Sequence, residues 1–82
     1  MYKVQSVLIR KYDDKGNDVY DLGRAVNFVL RNGFKVKKVD ETRNFFRFRQ
    51  EDPSVLRKEG YQHFVNKGII DNVSLILAYK KS

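Results

Sequence analysis

Between Phe34 and Gln50 the chain twice alternates apolar side chains with cations, as Phe34-Lys35-Val36-Lys37 and as Phe46-Arg47-Phe48-Arg49. A period of two sends successive side chains to opposite faces of an extended strand, whereas a helix would scatter them around its axis. Each segment therefore has one face to bury and one to keep wet, so the fold must include a sheet with a covered side. The cover is encoded upstream. Val19, Leu22, Ala25, Val26, Val29 and Leu30 recur at three- and four-residue spacing and make one apolar stripe on a helix. Asp18 is the expected N-cap, with Asp21 three residues on near the positive helix end. Asn32-Gly33 ends the helix, with Gly33 suited to the left-handed C′ position.

The remaining segments fall into place around these. Val4 to Lys11 is rich in β-branched and apolar residues and reads as a strand, followed by the turn cluster Asp13-Asp14-Lys15-Gly16-Asn17. Phe34 to Val39 and Phe45 to Gln50 form a predicted hairpin around the turn-forming Asp40-Glu41-Thr42-Arg43-Asn44. Asp52-Pro53 suits a cap and first helical residue and Gly60 a stop, giving a short helix over Ser54 to Glu59. Val65 to Ile70 and Val73 to Tyr79 flank Asp71-Asn72, a pair that tolerates the positive φ of a hairpin turn. The expected fold is α+β, in the order β-α-β-β-(short α)-β-β: a mostly antiparallel sheet with one main helix packed on one face. Eighty-two residues make a single domain, 1–82, near the lower size limit for independent folding.

Charge is the one sequence feature that points to a partner. Seven of the seventeen cations lie between Arg31 and Arg49 against two acids, Asp40 and Glu41, so this stretch holds a surplus of five in a chain of net charge +7. If the five-residue loop pairs Val39 with Phe45, Lys37 faces Arg47 and Lys35 faces Arg49, all on one side of the sheet. Like charges set opposite one another cost on the order of a few tenths to 1 kcal/mol per pair, a cost that a polyanion would remove. Lys35, Lys37, Arg47 and Arg49 then contact phosphates, Phe45 offers a ring for base stacking, and Arg43 flanks the turn. The expectation is a nucleic-acid-binding face. The alternatives are a solvated strand face, and a protein-interaction or virion-structural module (or an inhibitor of a host defence protein) docking an acidic partner through the same residues.

Other chemistry finds little support. With no cysteine and only His63 for an imidazole, disulfides, thiol nucleophiles and typical zinc sites are excluded. Asp13, Asp14, Asp18 and Asp21 do not match a calcium-loop spacing, and turn and cap duties account for them. Asp40 and Glu41 lie beside basic residues, as nuclease metal ligands do, but their loop position favours a turn role. No hydroxyl or amine has a base partner at a meaningful spacing, and the five glycines form no phosphate loop. No enzyme activity and no cofactor are therefore expected. The longest apolar runs are too short to span a membrane, and Val7 to Ile9 is too short for a signal-peptide core, so an intracellular protein is expected.

The run from Asn32 to Pro53 resembles a small module found in predicted proteins of tailed phages and large DNA viruses. Its marks are a helix ending in Gly33-Phe34, then Lys35, the Asp40-x-Thr42-x-Asn44 segment, the Phe46-Arg47-Phe48-Arg49-Gln50 core and a nearby Pro53. The similarity extends to Ser6-Val7-Leu8-Ile9 and to Val73-Ser74-Leu75-Ile76-Leu77. The resemblance implies a viral origin and a joint role for Asp40, Thr42, Asn44, Arg47, Arg49 and Gln50, and it brings no activity with it. Side-chain to backbone hydrogen bonds tying the hairpin loop are the structural alternative for Asp40, Thr42 and Asn44.

Overall fold

Five antiparallel strands carry the fold in the computed structural model, which describes residues 1–80. In chain order the elements are β1 (Tyr2–Arg10), α1 (Leu22–Arg31), β2 (Val39–Glu41), β3 (Phe45–Arg49), α2 (Pro53–Lys58), β4 (Tyr61–Ile70) and β5 (Val73–Lys80). The strands lie in the order β2-β3-β1-β5-β4, so β1 sits at the centre and β2 and β4 are the two edges. The α+β class and the element order match the sequence reading.

Alternation decides what is buried. Phe46 and Phe48 on β3 lie opposite Ile9 and Val7 on β1, and all four pack with Val73 of β5 against Ala25 and Val29 of α1. Three of the expected stripe residues do less than the spacing implies: Leu22 and Leu30 are exposed and Val19 precedes the helix, while Phe28 packs at the core margin. On the other face of the sheet Ala78 meets Leu56 of α2 and Tyr61 of β4, a second and smaller core. Each face of the sheet thus has its own helix, α1 over the β3–β1 half and α2 near the start of β4.

Helix α1 starts later than expected. Its N-cap is Asp21, whose carboxylate accepts from the Arg24 amide at 2.8 Å, and not Asp18. The amides of Val19 and Tyr20 both donate to the Lys11 carbonyl, which holds the chain extended until Asp21. Replacing Asp21 with alanine is expected to cost about 1 kcal/mol of stability in a urea titration, while Asp18→Ala leaves the midpoint nearly unchanged. At the other end Gly33 has φ +80°, its amide donates to the Leu30 carbonyl, and the Phe34 amide donates to Val29. This is a Schellman cap, and it turns Phe34 back onto the core.

Two carboxylates organise turns. Asp13 accepts from the amides of Asn17 and Lys15, and the Asn17 bonds foremost hold its carboxyl below the usual range. Asp52 caps α2 through the hydroxyl and amide of Ser54, which likewise hold its carboxyl low. A depressed carboxyl stabilises the fold fully above its unfolded pKa of about 4, and that contribution is lost as acid protonates the folded group.

Strand boundaries differ from expectation in two places. The segment Phe34 to Lys38 is not a strand, and β2 is only Val39–Glu41, so Asp40 and Glu41 belong to the ladder and not to the loop. Strand β4 begins at Tyr61 rather than Val65, because a bulge between Tyr61 and His63 interrupts the alternation that would have marked its start. The Asp71-Asn72 turn is as expected, with Asn72 at φ +69°.

Candidate nucleic-acid interface

The hairpin pairs in a different register from the one the loop length implied. Val39 lies opposite Phe48, Asp40 opposite Arg47 and Glu41 opposite Phe46. Thr42 sets this register. Its amide donates to the Phe45 carbonyl at 2.9 Å, and its hydroxyl both accepts from the Phe45 amide at 3.0 Å and donates to the Phe45 carbonyl at 3.2 Å. The turn therefore closes at Thr42–Phe45, three residues tighter than a Val39–Phe45 pairing. Lys37 does not face Arg47, and Lys35 does not face Arg49. A carboxylate stands where a second cation was expected.

On β3 the predicted separation of faces holds: Phe46 and Phe48 go to the core, and Phe45, Arg47 and Arg49 go to the opposite side, half-buried. The two arginines are nevertheless engaged within the fold. Arg47 Nε donates to Ser6 Oγ at 3.1 Å and its terminal nitrogen to Gln5 Oε1 at 3.0 Å. Gln5 and Ser6 share a bulge in β1 and are both buried, with the Ser6 hydroxyl donating to Gln5 Oε1 at 2.7 Å. The Gln5 amide nitrogen reaches on to the Glu51 carbonyl. Arg47 is thus a bracket for an irregular, polar spot in the central strand. Arg49 approaches Asp40 at 3.7 Å, and its Nε is buried without a hydrogen-bond partner.

Gln50 gathers the cations that remain. Its Oε1 accepts from the Lys35 amide and its Nε2 donates to the Lys35 carbonyl, both at 2.8 Å, so one side chain imitates a strand neighbour. The same Nε2 donates to the Phe48 carbonyl at 3.3 Å. This pins the irregular segment 34–38 beside the end of β3. There Lys37, Lys38 and Arg49 line one groove of about 330 Å³ with Gln50, Glu51, Asp52 and Val55. Lys35, Lys37 and Lys38 are exposed, and among the described residues none has an ion-pair partner. Lys38 was missed by the sequence reading, because strand parity would have turned it inward. The adjacent pair Lys37-Lys38 was the available signal.

Two expected site residues lie elsewhere. Arg43 is exposed in the turn at the far end of the hairpin. Phe45 lies opposite Arg10 and lines a separate groove with Tyr12, Asp13 and Asp14, away from Lys37, Lys38 and Arg49. The sequence reading also passed over α1, where Arg24, Asn27 and Arg31 line a groove of about 520 Å³ with Tyr20 and Phe28, and Arg24 lies 5.9 Å from the centre of the Tyr20 ring. The seven-residue spacing of Arg24 and Arg31 was the clue to that face.

Most residues of the Asp40-to-Gln50 motif thus have visible structural work: Thr42 closes the turn, Asp40 meets Arg49, Arg47 holds the bulge and Gln50 holds Lys35. The Asn44 carbonyl accepts from the Lys11 amide at 2.9 Å. Among the described residues no helix is long and apolar enough to cross a membrane. Compared with known proteins, the chain matches no family model, no curated protein and no solved structure.

Proposed function

We propose that this chain is a small nucleic-acid-binding module that holds the phosphate backbone with Lys35, Lys37 and Lys38, supported by Arg49, which lines a groove with Lys37 and Lys38. One observation carries the reading. The two acids of the basic stretch are occupied, Asp40 by Arg49 and Glu41 by Lys11, while Arg31, Lys35, Lys37, Lys38 and Arg43 stay exposed with no carboxylate partner among the described residues. Three lysines on one short segment make a compact positive rim that a phosphate chain can neutralise. Contacts of this kind position a backbone and carry no sequence readout, so binding is general in sequence. Phe45 has no part in this version of the site, and Arg47 acts on the fold. The reading assigns no reaction to the chain. The motif resemblance adds a viral origin to the proposal, with an intracellular or virion setting.

The test is a fluorescence-anisotropy titration against single- and double-stranded oligonucleotides over a range of salt. Log affinity should fall linearly with log salt, with a slope near −0.9 per phosphate contact on duplex, so about −3 to −4 for three or four contacts. No binding at low salt, or affinity indifferent to salt, ends the nucleic-acid reading; capture of an acidic protein by the same lysines would replace it.

A further inference from the structure

The two edges of the sheet are treated differently. Strand β2 is three residues long, carries Asp40 and Glu41, and follows a segment bearing three lysines, so it is short and heavily charged. Strand β4 is ten residues long, contains no proline, and has Lys67 as its one lysine or arginine and no acid. Seven of its residues are exposed, Ile69 and Ile70 among them at 42% and 53%. Its outer row of amides and carbonyls lies at the sheet edge, where short length, charge, proline and bulges are the usual guards against pairing; of these β4 has Lys67 and two bulges, both at the ends of the strand. Bulges at Tyr61/His63 and Gly68/Ile70 bracket a regular stretch, His63 to Gly68, that is free to take a neighbour.

We infer that β4 is the interface of a symmetric dimer, in which Phe64 to Gly68 pairs antiparallel with the same stretch of a second copy to make one continuous sheet. Three features favour a second copy over a foreign strand. The first is self-complementarity. With Asn66 on the two-fold axis, Lys67 of one copy faces Val65 of the other and Phe64 faces Gly68, so no like charges are directly opposed and the two Lys67 are only diagonal neighbours. The second is where the charge sits. The surplus of five lies between Arg31 and Arg49, on elements at the opposite edge of the sheet. At about 4.8 Å per strand the two β2 edges of the joined sheet stand roughly 40 Å apart, several times the ~8 Å screening length of physiological salt. The third is closure. An isologous edge contact uses up both free β4 edges and leaves only the charged β2 edges outside. Such a dimer also carries two lysine rims on one rigid sheet.

The test is sedimentation velocity on the full chain, without nucleic acid, from micromolar to millimolar concentration. A monomer–dimer equilibrium is expected, shifted to at least about tenfold higher concentration by Asn66→Lys and by Gly68→Lys, each of which sets two added cations in the paired stretch. Both positions are exposed, and a Cβ built at Gly68 meets nothing within 4 Å, so the monomer accommodates these changes; circular dichroism and thermal melting check that it does. Lys37→Gln, on the far edge, should leave the equilibrium unmoved. A chain that stays monomeric throughout, one whose dimer ignores both β4 substitutions, or one that grows past the dimer overturns the proposal.

Discussion

A chain with glutamine at Lys35, Lys37 and Lys38 is expected to bind nucleic acid about two orders of magnitude more weakly than the parent near 0.1 M salt. Each lysine removed from a phosphate contact withholds close to one released counterion, so the log–log salt slope should flatten by about 2 to 3 when all three are gone. The fold should not notice. All three side chains are exposed, and the bonds that hold Lys35 are made by its backbone, which glutamine leaves intact. Urea unfolding of the triple variant should therefore superimpose on the parent within experimental error. Affinity within threefold of the parent would remove these lysines from the interface and with them the proposed site.

Arg47→Ala is expected to do the reverse, lowering stability by about 2–3 kcal/mol while affinity, measured on the folded fraction, stays within a few-fold. The guanidinium donates two charge-assisted hydrogen bonds to a buried Gln5–Ser6 pair, and such bonds contribute about 1.5–3 kcal/mol where neutral ones give about half that. Part of the loss is softened because Ser6 and Gln5 still bond each other. Part is deepened because the arginine stem covers the sheet beside Leu8, its partner on β1. For a domain this small the loss is a large share of the roughly 5–15 kcal/mol that separates folded from unfolded chains, and at about 4–8 °C per kcal/mol the melting temperature should drop by about 8–24 °C. Lysine at this position should recover only a fraction, since a single ammonium on a flexible stem does not reproduce the planar fork. A variant that keeps its melting temperature but stops binding would return Arg47 to the interface.

The contrast between these two substitutions also marks what could be read from the sequence. Element order was legible because the determinants are local: apolar spacing in α1, Gly33 at its end, Asp52-Pro53 before α2 and Asp71-Asn72 between β4 and β5. Pairing register was not, because it rests on one hydroxyl. Thr42 closes the turn on Phe45, and the resulting three-residue shift is odd, so every side chain of β2 changes face and Val39 turns to the core. The alternation of Phe34 to Lys37 mimics a strand, but the Schellman cap folds Phe34 onto the helix end and the Gln50 amide takes the place a ladder would need. Likewise the choice of Asp21 over Asp18 as cap depends on Lys11, whose carbonyl takes the amides of Val19 and Tyr20 from outside any window of helix signals. The face shared by Phe45, Arg47 and Arg49 followed from parity alone; what parity does not reveal is that Gln5 and Ser6 lie beneath Arg47.

A lysine-bearing segment tied at its middle by a side-chain amide differs from a lysine-bearing strand. Phe34 at one end packs on the core and Val39 at the other pairs with Phe48, while between them Gln50 holds Lys35 by two hydrogen bonds that belong to no ladder, so losing the Gln50 amide would leave every rung of the sheet in place. The placement of three lysines is thus set by one side-chain amide, separately from the strand pairing that holds the sheet together.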